Sequence, residues 1–184
     1  MTVNTPYKLA NESPGFSEAI DDVACAVRYA AIHPDSDGTV ALIGHSAGAH
    51  ISAVVALTGG LYAGDCLIPG SGVPERLVGL AGPYDISRLG FLIFPFFGGG
   101  PNVFPTEWAA ANPQLLTDEN VELSSLIMLG DQDGIVDSQF AADFHDDLMA
   151  SGSDSTIEVV EGARHMNMRE AEWVGDLIVV WLER

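Results

Sequence analysis

Basic residues are scarce in this chain. Lys8 is the single lysine, and lysine plus arginine total 7 against 26 aspartates and glutamates, a formal charge of −19. A surface this acidic repels phosphate backbones, which excludes nucleic acid as a partner, and it is repelled by anionic membranes as well. Concentrated salt would screen the self-repulsion. Long apolar runs are also missing. The longest, 91–97 and 177–182, fall well short of the roughly 20 residues a membrane-spanning helix needs, so no membrane span is expected. The opening residues Met1 to Pro6 have neither the basic start nor the apolar core of a secretory signal, which points to the cytoplasm. Cysteine is limited to Cys25 and Cys66, with no Cys-x-x-Cys and no metal-ligand spacing. Cys25 falls in an apolar helical pattern and Cys66 in a loop, so a disulfide is permitted but not required.

What is present suits a globular domain. Of the 184 residues, 47% are apolar, enough to build a core and too many for a disordered tail. Strand-like apolar runs lie at 39–43, 77–80, 126–129 and 156–160, nearly continuous as in strands covered on both faces. Helical patterns lie between them. In 17–32, Ile20, Val23, Ala24, Val27 and Ala31 share one face, with Ser17 placed to cap the start. Phe140, Phe144 and Leu148 share a face of another helix, and Trp173, Leu177, Ile178 and Trp181 a face of the last. This alternation predicts an α/β fold, a three-layer sandwich with a mainly parallel sheet, in a single domain over 1–184. The segment 87–113 breaks the rhythm with Phe91, Phe94, Phe96, Phe97, Trp108 and Gly98-Gly99-Gly100, and reads as a cap-like insertion.

The strongest chemical signal is Gly44-His45-Ser46-Ala47-Gly48, which ends a strand and opens a helix. That is the context of a nucleophile elbow: a strained turn lifts the serine hydroxyl above the sheet, Gly44 and Gly48 allow strand and helix to approach, and the Ala47 N–H faces a developing oxyanion. A serine nucleophile needs a base, and the base an orienting acid. Candidates follow two later strands, in the loops 130–136 and 161–165. His165 is the base in this reading, and Asp133 the acid, with Asp131 and Asp137 as alternatives. Of the other histidines, His45 should point away from the serine, His50 reads as packing or support, and His33 and His145 as surface residues. No metal and no organic cofactor is implied, since His145-Asp146-Asp147 has no second helical ligand. Asn11-Glu12-Ser13 fits a glycosylation acceptor.

These residues resemble the α/β-hydrolase superfamily, and within it the carboxylesterases of the hormone-sensitive-lipase-like and feruloyl-esterase-like groups. Tyr7-Lys8-Leu9-Ala10-Asn11-Glu12 is similar to their Tyr-Arg-Leu-Ala-Pro-Glu. Asp21-Asp22-Val23 with Ala26-Val27-Arg28-Tyr29 resembles the next helix. Gly44 to His50 is similar to the elbow, and Gly79 to Asp85 to a loop carrying Gly-x-Tyr-Asp. Gly130 to Asp133 matches Gly-x-x-Asp, which favours Asp133 over Asp131, and Gly162 to His165 matches Gly-x-x-His. The resemblance implies a serine hydrolase that cleaves small carboxylic esters through an acyl-enzyme. Those families also carry a His-Gly-Gly segment upstream of the serine that supplies further oxyanion donors. This sequence has none ahead of Ser46, so the resemblance implies the C-terminal half of the fold, with strand 39–43 at an exposed edge that a homo-oligomer would cover. Tyr84, Phe91 and Phe94 are the candidate substrate contacts. The competing reading is a catalytically inactive hydrolase-like fragment or binding module with an incomplete oxyanion hole.

Overall fold

The computed structural model describes residues 1–9 and 16–184. The acceptor Asn11-Glu12-Ser13 and the stretch from Ala10 to Glu12 lie outside them. Helix α1, Phe16–Ile32, buries Phe16, Ala19, Ile20, Val23, Ala24 and Val27, the stripe expected of a helix with one face on a core. Ser17 lies inside its first turn and is not its cap. Strand β1, Ala41–His45, leads into α2, Ala47–Thr58. Strand β2, Arg76–Leu80, is followed by short helical pieces that include α3, Phe94–Phe97, and α4, Pro105–Ala110. Then come β3, Ser124–Gly130, α5, Ser138–Ser151, β4, Asp154–Val160, and α6, Ala171–Leu182.

The four strands pair in the order β1-β2-β3-β4, all parallel, as the run of strand–helix units requires. Alternate side chains go to opposite faces. Leu77, Ile127 and Leu129 pack with Ala53 and Leu57 of α2 and Phe144 and Leu148 of α5. Val78, Leu80, Leu126 and Met128 pack with Val174, Ile178 and Trp181 of α6. Helix, sheet and helix thus make three layers, the architecture the sequence pattern predicts. The first strand begins two residues later than its apolar run. The Val40 N–H is taken by the Glu75 carboxylate at 2.7 Å, while Gly44 and His45 extend the ladder opposite Gly79 and Leu80. β1 and β4 are the edges of this sheet, and Ile43 is 47% exposed.

Segment 86–115 packs on α1. Phe97 and Trp108 are buried and stacked, with centroids 4.7 Å apart, and Phe16 meets Phe97 at 5.4 Å. Cys25 of α1 is joined by a disulfide to Cys66 in the loop before β2. The buried Arg28 ties down the same loop, donating to the carbonyls of Tyr62 at 2.6 Å and Gly70 at 3.1 Å. Disulfides of this kind form and persist in oxidising surroundings. Among the described residues, no helix is long and apolar enough to cross a membrane.

Candidate active site

Ser46 stands between β1 and α2 with φ 55° and ψ −121°, a conformation few non-glycine residues adopt. Two features hold it there. Its N–H donates to the Leu80 carbonyl at 2.8 Å, extending the β1–β2 ladder into the turn. Its carbonyl accepts from the Ala49 and His50 N–H groups at 2.9 and 3.2 Å. The turn is this tight because Gly44 lies against the first turn of α2: a Cβ there would overlap the Gly48 carbonyl and the Ser52 hydroxyl. Gly48 needs no such allowance, since a Cβ on it meets only the Tyr7 hydroxyl at 3.8 Å. The steric demand predicted at both glycines falls on Gly44 alone.

The Ser46 hydroxyl does not cap its own helix. It meets His165 Nε2 at 2.9 Å, and His165 Nδ1 meets Asp133 Oδ2 at 2.8 Å. Both the His165 and Asp133 side chains are nearly fully buried. Asp133 Oδ1 accepts from the N–H groups of Ile135 at 2.8 Å and Val136 at 3.0 Å. Burial pushes the Asp133 carboxyl up, but the Val136 N–H, His165 and the Ile135 N–H outweigh it and hold the group below its ordinary value. An ionised Asp133 can only accept, so the proton on His165 sits on Nδ1. Nε2 then offers a lone pair to the serine hydroxyl. Such a relay can withdraw a proton from Ser46 as its oxygen attacks an electrophile.

Parallel pairing explains why three residues separated in sequence converge. Ser46, Asp133 and His165 all follow the carboxyl ends of strands, one after β1, one after β3 and one after β4. The last two loops cross closely. A Cβ on Gly130 would overlap the Ala163 carbonyl, which accepts from the Gln132 N–H at 3.0 Å. Asp131, the alternative acid, accepts from the Gly162 N–H at 2.6 Å and so ties the same two loops together. Asp137 caps α5 through the Gln139 N–H at 2.8 Å.

The remaining candidates separate clearly. The exposed Ala47 opens α2, and the first N–H groups of a helix have no acceptor within it. Tyr84 is fully buried and stacked on Phe144 at 4.4 Å, so the expectation that it touches substrate is corrected: it is a core residue. Phe91 is 76% and Phe94 37% exposed, whereas Phe97 packs the core. His50 is buried and its Nε2 donates to the Ala111 carbonyl at 2.7 Å. His33 lies against Tyr29, and His145 Nδ1 meets the Ser155 hydroxyl at 2.9 Å. Among the described residues, no group of three or more His, Cys, Asp or Glu is placed to hold a metal ion.

Sequence reading gives His45 no part in the site. In the structure its Nε2 donates to the His165 carbonyl at 2.9 Å, and its ring lies 4.8 Å from the His165 ring. A signal for this contact was available. His45 pairs with Leu80 and follows the same alternation as Ile43, which puts it on the sheet face that carries the loop after β4.

No protein-family model matches the chain, and no curated protein matches it. Solved structures do. A bifunctional GH43-CE protein of Bacteroides eggerthii aligns with 96% of this chain and 26% of its own, at 20% identity and a TM-score of 0.81. A truncated carbohydrate esterase from gut microbiota aligns with 96% of this chain and 71% of its own, at 20% identity and 0.75. A thermophilic esterase of the planctomycete Thermogutta terrifontis, solved with propionate bound, aligns with 96% and 70% at 17% identity and 0.73. This chain therefore spans about a quarter of the first of these proteins and about 70% of the other two. At such identities the likeness is one of fold alone, shared with these esterases.

Proposed function

We propose that this protein is a serine hydrolase that cleaves small carboxylic esters through an acyl-enzyme. The observation that carries this reading is the unbroken relay Ser46–His165–Asp133, with the serine on a strained turn at the start of a helix. His165 Nε2 takes the hydroxyl proton as Ser46 Oγ bonds to the ester carbonyl carbon. The carbonyl oxygen becomes an oxyanion, which the Ala47 N–H faces at the positive end of α2. Collapse breaks the bond to the alcohol, and His165 returns the proton to the leaving oxygen. Water then attacks the acyl-Ser46 carbonyl by the same steps in reverse order, releasing the acid and restoring the serine. Asp133 holds the Nδ1–H and stabilises the imidazolium that forms between steps. The esterase fold of the structural neighbours supports this chemistry. Phe91 and Phe94, exposed on the segment after β2, are the proposed apolar contacts to the acyl or alcohol group.

The test is labelling by a fluorophosphonate, which loses fluoride to form a stable phosphonyl ester with an activated serine, together with turnover of a short p-nitrophenyl ester. Wild type is expected to label at Ser46 and turn over substrate, and Ser46→Ala to do neither. A folded wild-type chain that labels no faster than Ser46→Ala would leave the inactive-module reading standing.

A further inference from the structure

We propose that His45 is a positioning residue for His165: its Nε2–H donates to the main-chain carbonyl of His165 and its ring backs the His165 imidazole. The strand that carries the nucleophile thereby also fixes the loop that carries the base. This rests on the function proposed above.

The relay fixes the His165 imidazole but not the backbone that carries it. Asp133 and Ser46 hold the two ring nitrogens of His165, but they constrain the side chain only as well as its backbone is held. The approach to that backbone is exposed at Glu161, Gly162 and Arg164, and its ties to the rest of the site run to the loop after β3, through the Gly162 N–H to Asp131 and the Ala163 carbonyl from Gln132. His45 supplies a direct link from the end of β1 to the His165 carbonyl, 120 residues away in sequence. A carbonyl oxygen cannot donate, so the bond requires a proton on Nε2 of His45 and fixes its tautomer. The two rings, 4.8 Å apart and inclined at 47°, leave little room for the His165 imidazole to tilt toward β1.

The charge state suits the task. Burial pushes the His45 pKa below its ordinary value. The bond to the His165 carbonyl opposes this, a proton taken up by His165 and the Arg169 guanidinium add to it, and the Asp133 carboxylate opposes it. These groups come from the turn 165–169, on which the ring lies, and from the loop after β3. A neutral His45 places no second positive charge beside His165 when that residue takes up the serine proton. A bond of this kind matters because misplacing a reacting group by about 1 Å costs on the order of a hundredfold in rate.

Two substitutions separate a positioning bond from mere packing. In His45→Gln the amide nitrogen falls where Nε2 lies and can still donate to the His165 carbonyl. In His45→Asn the side chain ends where Nδ1 lies and cannot reach. The measurements are the fluorophosphonate labelling rate of Ser46 and the NMR titration of the His165 Cε1–H, assigned by its loss in His165→Gln. Circular dichroism establishes that each variant is folded. His45→Asn is expected to label at least about tenfold more slowly with a displaced His165 resonance, and His45→Gln to stay within roughly threefold of wild type. Equal rates and an unmoved resonance in both variants would overturn the inference, as would equal losses in both. If wild type itself fails to label, the hydrolase reading fails, and the resonance still decides the inference: displacement in Asn with recovery in Gln supports it, and no displacement overturns it.

Discussion

Asp133→Asn removes one charge and leaves the shape of the site intact. Asp133 Oδ1 is occupied by the Ile135 and Val136 N–H groups, so the retained oxygen of the asparagine stays with those two donors. The new amide NH2 then faces His165 Nδ1 at what is now a 2.8 Å contact. Two donors cannot face each other, so His165 shifts its proton to Nε2. That nitrogen now donates toward Ser46 Oγ at 2.9 Å where it must accept, and the base is lost. A wrong tautomer in an otherwise intact relay costs roughly 10⁴ in kcat, or about 5 kcal/mol of barrier. The assay is p-nitrophenyl ester turnover and Ser46 labelling by fluorophosphonate, with a urea denaturation curve to show that the fold survives. Asp131→Asn is the control, since its contact is to the Gly162 N–H and not to His165. Retention of activity within tenfold in Asp133→Asn, or an equal loss in Asp131→Asn, would refute the reasoning.

Two further predictions concern stability. Burial lowers the His50 pKa to about 4, against the upward pull of the Ala111 carbonyl. Its folded value lies below its unfolded one, so the unfolded chain binds the proton first. The stability contributed by neutral His50 is full above about pH 6.5 and is lost as pH falls toward 4, by up to about 3 kcal/mol. Urea midpoints at pH 7 and 4.5 are expected to differ more in wild type than in His50→Gln, and equal differences would count against this. The Cys25–Cys66 bridge closes a loop with a sequence separation of 41. Chain entropy gives it about 4 kcal/mol, so a reductant or the double Cys→Ser variant is expected to lower the urea midpoint, and an unchanged midpoint would contradict the pairing.

The site was legible in the sequence to an uneven degree. The turn at 44–48 could be read because its chemistry is local: Gly44 must be small where β1 meets α2, and the strained residue follows two positions later. The order of strands and helices could be read because burial on both faces leaves continuous apolar runs. Asp131 and Asp133 could not be told apart on residue type, since both are acids in the same loop after the same strand. Backbone donors separate them: Ile135 and Val136 turn Asp133 inward, and the Gly162 N–H holds Asp131 across the loop crossing. Tyr84 misled because a tyrosine near strand ends suits a substrate contact and a core position equally well. Only its stacking on Phe144 decides.

The sequence by itself determined what short-range rules govern: the parallel α/β layering, the elbow, and the set of loops that could supply an acid and a base. These follow from hydrophobic period, steric allowance and strand direction, each set by neighbours within a few residues. The tertiary structure alone decided the contacts between residues far apart in the chain. Those are the 2.8 Å contact between Asp133 and His165, the disulfide from Cys25 to Cys66, the burial of Tyr84, and the bond from His45 to the carbonyl of His165. The reason is geometric. Each depends on which hydrogen-bond donors and ring faces packing brings within about 3 to 5 Å of one another, and no pattern along a single segment carries that distance.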